Sequence, residues 1–131
     1  MMKRKVLLID DNEVDNYITD YVITKSKIAE KITTKNSAIA ALEYLETIKD
    51  DFEEFPDLIF LDISMPIMDG FQFLNEAINY PKIAGQQCVV VMLTSSNNEN
   101  DIEKAFQYEV VKEYLVKPLE LEKLSRFIPS L

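Results

Sequence analysis

"LIFLDISMPIMDG", residues 58–70, sets four apolar residues before an acid and follows them with a proline-containing turn that ends in glycine. The apolar run shows no period-two alternation, which suits a strand covered on both faces, as in parallel sheets. A buried charge is costly unless it is paired, so Asp62 at the end of such a strand needs a reason. "VLLIDDN", residues 6–12, repeats the pattern with two acids, Asp10 and Asp11. "VVVML", residues 89–93, is a third continuous run and leads into Thr94. Lys31–Thr34 and Glu113–Val116 are weaker strand candidates.

Segments with helical spacing lie between these runs. Val14, Tyr17, Ile18, Tyr21 and Val22 form one apolar stripe. Ala38, Ala41, Leu42, Leu45 and Ile48 form a second, with Asn36 or Ser37 placed to cap it. A third begins near Gly70 with Phe71, Leu74, Ala77 and Ile78, and stops around Pro81 and Gly85. Ile102, Ala105 and Phe106 mark a fourth, and Asn100 followed by Glu103 resembles a capping box. Leu121, Leu124 and Ile128 mark a short last helix, close to Pro129. Strand and helix thus alternate five times, which implies an α/β fold with a parallel sheet and helices on both faces. No repeat, linker or composition break divides residues 1–131, so a single domain is expected.

Fourteen basic residues against twenty-three acidic ones give a net charge of −9. That balance disfavours a nucleic-acid backbone or an anionic membrane as direct partner, although solubility alone also explains it. Cys88 is the single cysteine, which excludes an intramolecular disulfide and fits a reducing, cytoplasmic setting. The basic N-terminus precedes an apolar run too short for a signal peptide or a membrane span. Histidine is absent, which removes Ser-His-Asp catalysis and histidine metal sites.

In open parallel sheets function collects at the carboxyl ends of the strands, where strand order reverses. Asp10, Asp11, Asp62, Thr94 and Lys117 all fall at such ends. Like charges 4 Å apart repel by roughly 1–4 kcal/mol per pair. Three converging carboxylates must therefore take up protons, pair with Lys117 or bind a cation. All-oxygen ligation favours a hard divalent ion, Mg²⁺ before Zn²⁺. A hard cation beside an aspartate, a hydroxyl and a lysine suits phosphoryl transfer. Each residue alone has a simpler reading. A lone Asp62 is a turn residue, Asp11 or Asn12 caps a helix, Thr94 opens a turn, and Lys117 is a surface charge. The combination is what carries the chemistry.

"LLIDDN", "LIFLDISMPIMDGFQFL", "VVMLTSS" and "YLVKP", in this order and spacing, resemble the receiver domain of two-component response regulators, over essentially the whole chain. The resemblance implies a flavodoxin-like strand order 2-1-3-4-5. It implies that Asp62 is the phosphoacceptor for a sensor histidine kinase or a histidine phosphotransfer protein. Mg²⁺, replaceable by Mn²⁺ or Ca²⁺, would be held by Asp10, Asp11, Asp62 and the backbone carbonyl of Ser64. Lys117 would pair with the phosphoryl group, and Lys117–Pro118 would be a cis peptide. Thr94 and Tyr114 would form the switch, while the small Ser95 leaves the site accessible. Ser64 and Ser96 are expected to flank the attacking water and tune the lifetime of the phosphorylated state. Gly70 is expected to supply a positive φ at the turn into its helix. The family's usual Gly-Ala pair before the fifth strand is replaced by Val110 and Val111, so an altered helix end is expected there.

The chain ends thirteen residues after Pro118, and the expectation is a stand-alone receiver of the chemotaxis-regulator type, without an effector domain. Phosphorylation would shift the face built from the fourth helix, fifth strand and last helix, and so change binding to a downstream target protein. That face mixes acids with lysines, consistent with a monomer or a weak homodimer. An adaptor that binds its partner without phosphorylation is the alternative. A small phosphatase is a third, but it lacks an acid two positions after Asp62, where Ser64 stands. Self-catalysed phosphorylation and dephosphorylation, not turnover of a substrate, is the expected chemistry.

Overall fold

The sheet is the frame on which the acids are hung. In the computed structural model, which describes residues 4–127, five strands run in parallel in the order β2-β1-β3-β4-β5. These are β1 (Arg4–Ile9), β2 (Ala29–Lys35), β3 (Leu58–Leu61), β4 (Val89–Thr94) and β5 (Val111–Val116). The helices are α1 (Glu13–Ser26), α2 (Ala38–Ile48), α3 (Gly70–Ala77), the single turn α4 (Pro81–Ala84), α5 (Glu99–Phe106) and α6 (Leu121–Phe127). Ile128 and Pro129 lie outside the described residues. The doubly wound architecture and the strand order agree with expectation.

Continuous apolar strands are explained by two cores. Leu7, Ile9, Ile59, Leu61, Val90 and Met92 point to one, covered by α2, α3, α4 and α5. Val6, Leu8, Leu58, Phe60, Val91 and Leu93 point to the other, which takes Ile23 from α1 and Leu124 from α6. Alternate side chains leave a strand on opposite faces, so a strand clothed on both sides has no polar position to spare.

Helix α1 departs from the sequence reading. Its buried residues are Asn16, Thr19 and Ile23, whereas Val14 and Tyr17 are 65% and 73% exposed, with Ile18 and Tyr21 also outside. Most of the apolar stripe therefore faces solvent, while Val22 packs partly buried against the core. Polar bonding sets the rotation instead. Asn12 caps the helix by accepting from the Asp15 N–H at 2.9 Å, and Asn16 Nδ2 donates to the Asp10 carbonyl at 2.7 Å.

Other local expectations shift as well. Ser37, not Asn36, caps α2. The capping box lies at Asp69 and Gln72, ahead of α3, rather than at Asn100 and Glu103. Asn98 caps α5. The third helical segment divides at Pro81, which occupies the first turn of α4, as its missing N–H permits. Helix α5 ends through Gln107 in ordinary right-handed geometry, and Val110 and Val111 are buried. Val110 and Val111 thus lie beyond the helix end, Val111 opening β5, and carry apolar side chains into the core.

No described glycine has a positive φ. Gly70 is required by close approach: a Cβ there would collide with the Asp62 carbonyl oxygen and lie 3.0 Å from Ile63 Cα. Its N–H donates to the Ile63 carbonyl at 2.8 Å. Helix α3 is thereby seated against the backbone that presents Asp62. Gly70→Ala is expected to lower stability by about 1–3 kcal/mol, read from the urea midpoint; an unchanged midpoint would show that the contact yields freely.

Candidate functional site

Register brings the acids together. Ile9 lies opposite Leu61 in the β1–β3 pairing, so the next residues, Asp10 and Asp62, emerge side by side. The Asp62 N–H donates to the Ile9 carbonyl at 3.0 Å. Carboxylate oxygens of Asp10, Asp11 and Asp62 all lie within 4.8 Å of one another. Asp10 and Asp62 are buried, and Asp11 is exposed. Across the sheet, Thr94 pairs with Val116, and the Lys117 N–H donates to the Thr94 carbonyl at 2.8 Å. That bond fixes where the lysine side chain departs. The Lys117–Pro118 peptide is cis.

The Lys117 ammonium sits 2.6 Å from Asp10 Oδ2, 2.8 Å from Asp15 Oδ2 and 3.3 Å from Asp62 Oδ2. The ammonium donates to Asp15 and Asp62, and pairs with Asp10 by charge at the shortest distance. Burial lowers the lysine's proton affinity, but the bonds to Asp10 and Asp15 and the charges of Asp62 and Asp10 outweigh it, holding Lys117 above the ordinary lysine range. Burial raises the Asp10 carboxyl, only partly offset by Lys117 and by the Asn12 N–H, which donates to Asp10 Oδ1 at 2.9 Å.

Asp62 keeps one oxygen in hand. Oδ2 faces Lys117, while Oδ1 is buried without a hydrogen-bond partner among the described residues. Buried polar atoms are seldom left so. An orphaned carboxylate oxygen inside an all-oxygen acid cluster fits a hard divalent cation as its missing partner.

The loop from Asp62 to Gly70 is under strain. Ile67 has φ 72° and is 89% exposed, and the Met68 N–H donates to the Pro66 carbonyl at 2.8 Å. A β-branched residue in the left-handed region costs about 1–3 kcal/mol, and the cost falls beside the chemistry.

Thr94 is fully buried, and its hydroxyl oxygen accepts from the Ser96 N–H at 3.4 Å. Tyr114, half-buried, donates its hydroxyl to the Ser96 carbonyl at 2.9 Å. Thr94 and Tyr114 therefore meet at one loop. The Ser96 hydroxyl donates to Asp101 Oδ2 at 2.7 Å, which ties it to the first turn of α5. Ser64 and Ser95 are exposed.

Asp15 was not singled out in the sequence, because an acid in the first turn of a helix has an ordinary role opposite the helix dipole. Asn16 was missed for a similar reason, since one asparagine carries no pattern. Only the Asp10–Asp15 spacing, placing an acid one helical turn beyond the acid pair, held a signal.

The chain's residues 6–128 match the family model for the response regulator receiver domain, and the chain belongs to that family. Response regulator Rcp1 of Synechocystis sp. is 28% identical over 96% of this chain and 84% of its own length. The crystal structure of a two component response regulator from Cytophaga hutchinsonii superposes with TM-score 0.89 at 26% identity, covering 99% of this chain and 97% of that one. The Mn²⁺-bound form of Rcp1 gives TM-score 0.72 at 28% identity, with 97% and 90% covered. The phosphorylated cyanobacterial phytochrome response regulator RcpA gives 0.75 at 27% identity, with 98% and 90% covered. This protein is thus a receiver-domain response regulator of two-component systems, a signalling protein. Its acid cluster is composed as a divalent-cation site. Among the described residues no helix is long and apolar enough to cross a membrane.

The two charges of the clamp act with opposite sign on stability. In the presence of a chelator, Lys117→Met, which strands buried carboxylates, is expected to cost about 3 kcal/mol. Asp62→Asn, which removes a buried charge whose Oδ1 has no hydrogen-bond partner among the described residues, should raise stability by about 1 kcal/mol. Denaturant unfolding measures both, and shifts of the same sign would contradict the charge balance described.

Proposed function

We propose that Asp62 is a phosphoacceptor, charged by a sensor histidine kinase or a histidine phosphotransfer protein, and that the charged state alters binding to a downstream target protein. The reading rests above all on Asp62 itself: one oxygen held by Lys117, the other unpartnered within the acid cluster. The phosphorylated form of RcpA and the Mn²⁺-bound form of Rcp1 support it by likeness.

In this reading the Asp62 carboxylate attacks phosphorus. An O–P bond forms as the P–N bond to the donor imidazole breaks, and the imidazole leaves with the bonding pair. Lys117 stays at the site and donates to a phosphoryl oxygen. Asp10, Asp11, Asp62 and the Ser64 backbone carbonyl hold Mg²⁺, with Mn²⁺ or Ca²⁺ as substitutes. When bound, the cation neutralises charge on the phosphoryl oxygens. Thr94 donates its hydroxyl to the phosphoryl group, which disturbs the loop at Ser96 that Tyr114 grips. The face formed by α5, β5 and α6 then changes population. Dephosphorylation by water completes one slow, self-catalysed cycle. The protein works through its own surface in the cytoplasm, as a monomer or weak homodimer, without direct contact with nucleic acid or membrane.

Incubation with Mg²⁺ and a small acyl phosphate, followed by intact mass measurement, tests the reading. A single phosphoryl adduct is expected, abolished by chelation and by Asp62→Asn. Amide exchange should change across α5, β5 and α6 in the charged form. Absence of an adduct, or its survival after the Asp62→Asn substitution, overturns the reading and favours a partner-binding adaptor that needs no phosphorylation.

A further inference from the structure

The acid cluster and Lys117 share two of the same carboxylates. Asp10 and Asp62, two of the three acids within 4.8 Å of one another, are also the ion-pair partners of the ammonium at 2.6 and 3.3 Å. A cation arriving at the cluster therefore meets a positive charge already seated on its ligands. Asp15 lies outside that cluster yet holds the same ammonium, through Oδ2 at 2.8 Å. It projects from the first turn of α1, a helix whose rotation is fixed by the Asn12 cap and by the bond from Asn16 to the Asp10 carbonyl. Its side chain is one-third exposed.

We propose that Asp15 is a positioning residue for Lys117, giving the ammonium a partner of its own so that it stays in the pocket while a divalent cation occupies Asp10, Asp11 and Asp62. The inference rests on the cation site and phosphoacceptor role proposed above. With Asp15 present, an ammonium that yields Asp10 keeps a short charge-assisted bond. With Asp15 neutral, the carboxylates left to Lys117 among the described residues are the cation's own ligands. The two positive charges then compete directly.

The experiment is a titration of the full chain with Mn²⁺ alone, followed by the free-ion electron paramagnetic resonance signal at fixed ionic strength. Asp15→Asn is expected to weaken Mn²⁺ binding roughly threefold to tenfold, a size suited to a partly exposed charge pair. The same substitution in a Lys117→Met background should change affinity by less than about twofold, because contacting residues couple and the lysine through which Asp15 acts is gone. Asp15→Glu, which keeps the carboxylate, should bind within about twofold of the unsubstituted protein. An unchanged affinity in Asp15→Asn overturns the inference. So does an equal loss in both backgrounds, which reveals a bare charge effect, and so does a Glu variant as weak as the Asn variant. Failure of the unsubstituted protein to bind Mn²⁺ overturns the cation-site reading itself and is distinguishable from all of these.

Discussion

One ammonium among three carboxylates is the constraint around which the functional end of the molecule is organised. Lys117 answers Asp10, Asp15 and Asp62 together, and without it the ends of β1 and β3 would set like charges side by side in a poorly solvated crevice. The pairing is not a net gain in stability, since removing charges from water is costly. What it achieves is position. Asp62 stays at the mouth of a buried strand, with one oxygen left for another partner.

That arrangement depends on the scaffold at several removes. The pairing of Ile9 with Leu61 places Asp10 and Asp62 abreast. Gly70 lets α3 press against the Asp62 backbone. The strained residue Ile67 stands in the loop between them. On the other side, Asn16 gives up an ordinary place in an apolar core to hold the Asp10 carbonyl. Polar bonds at the top of α1 thus decide which side of that helix turns inward. The aromatic residues Tyr17 and Tyr21 are left in solvent as a consequence.

Much of this was legible in the residues. Strands clothed on both faces need unbroken apolar runs, and "LIFL" and "VVVML" have them, so the parallel sheet and its two layers could be read directly. The acids, Thr94 and Lys117 stood out because each ends a strand. The phase of α1 was not legible, since hydrophobic periodicity assumes that the inward face is apolar, whereas here the inward face serves the site with Asn16 and Thr19. Gly70 was recognised for the wrong physical reason: space, not a left-handed φ, demands it. Asp15 was hidden because its contact with Lys117 spans 102 residues of sequence, and nothing local announces a partner so distant.

Whether the pocket serves a cation as well as an ammonium is the claim on which the functional account turns. Crystals of the protein grown with Mn²⁺, measured near the manganese absorption edge, address it most directly. The account predicts one anomalous peak within coordination distance of both Asp11 and Asp62 carboxylates. A peak located elsewhere, or a pocket filled by the Lys117 ammonium with no manganese present, would contradict it.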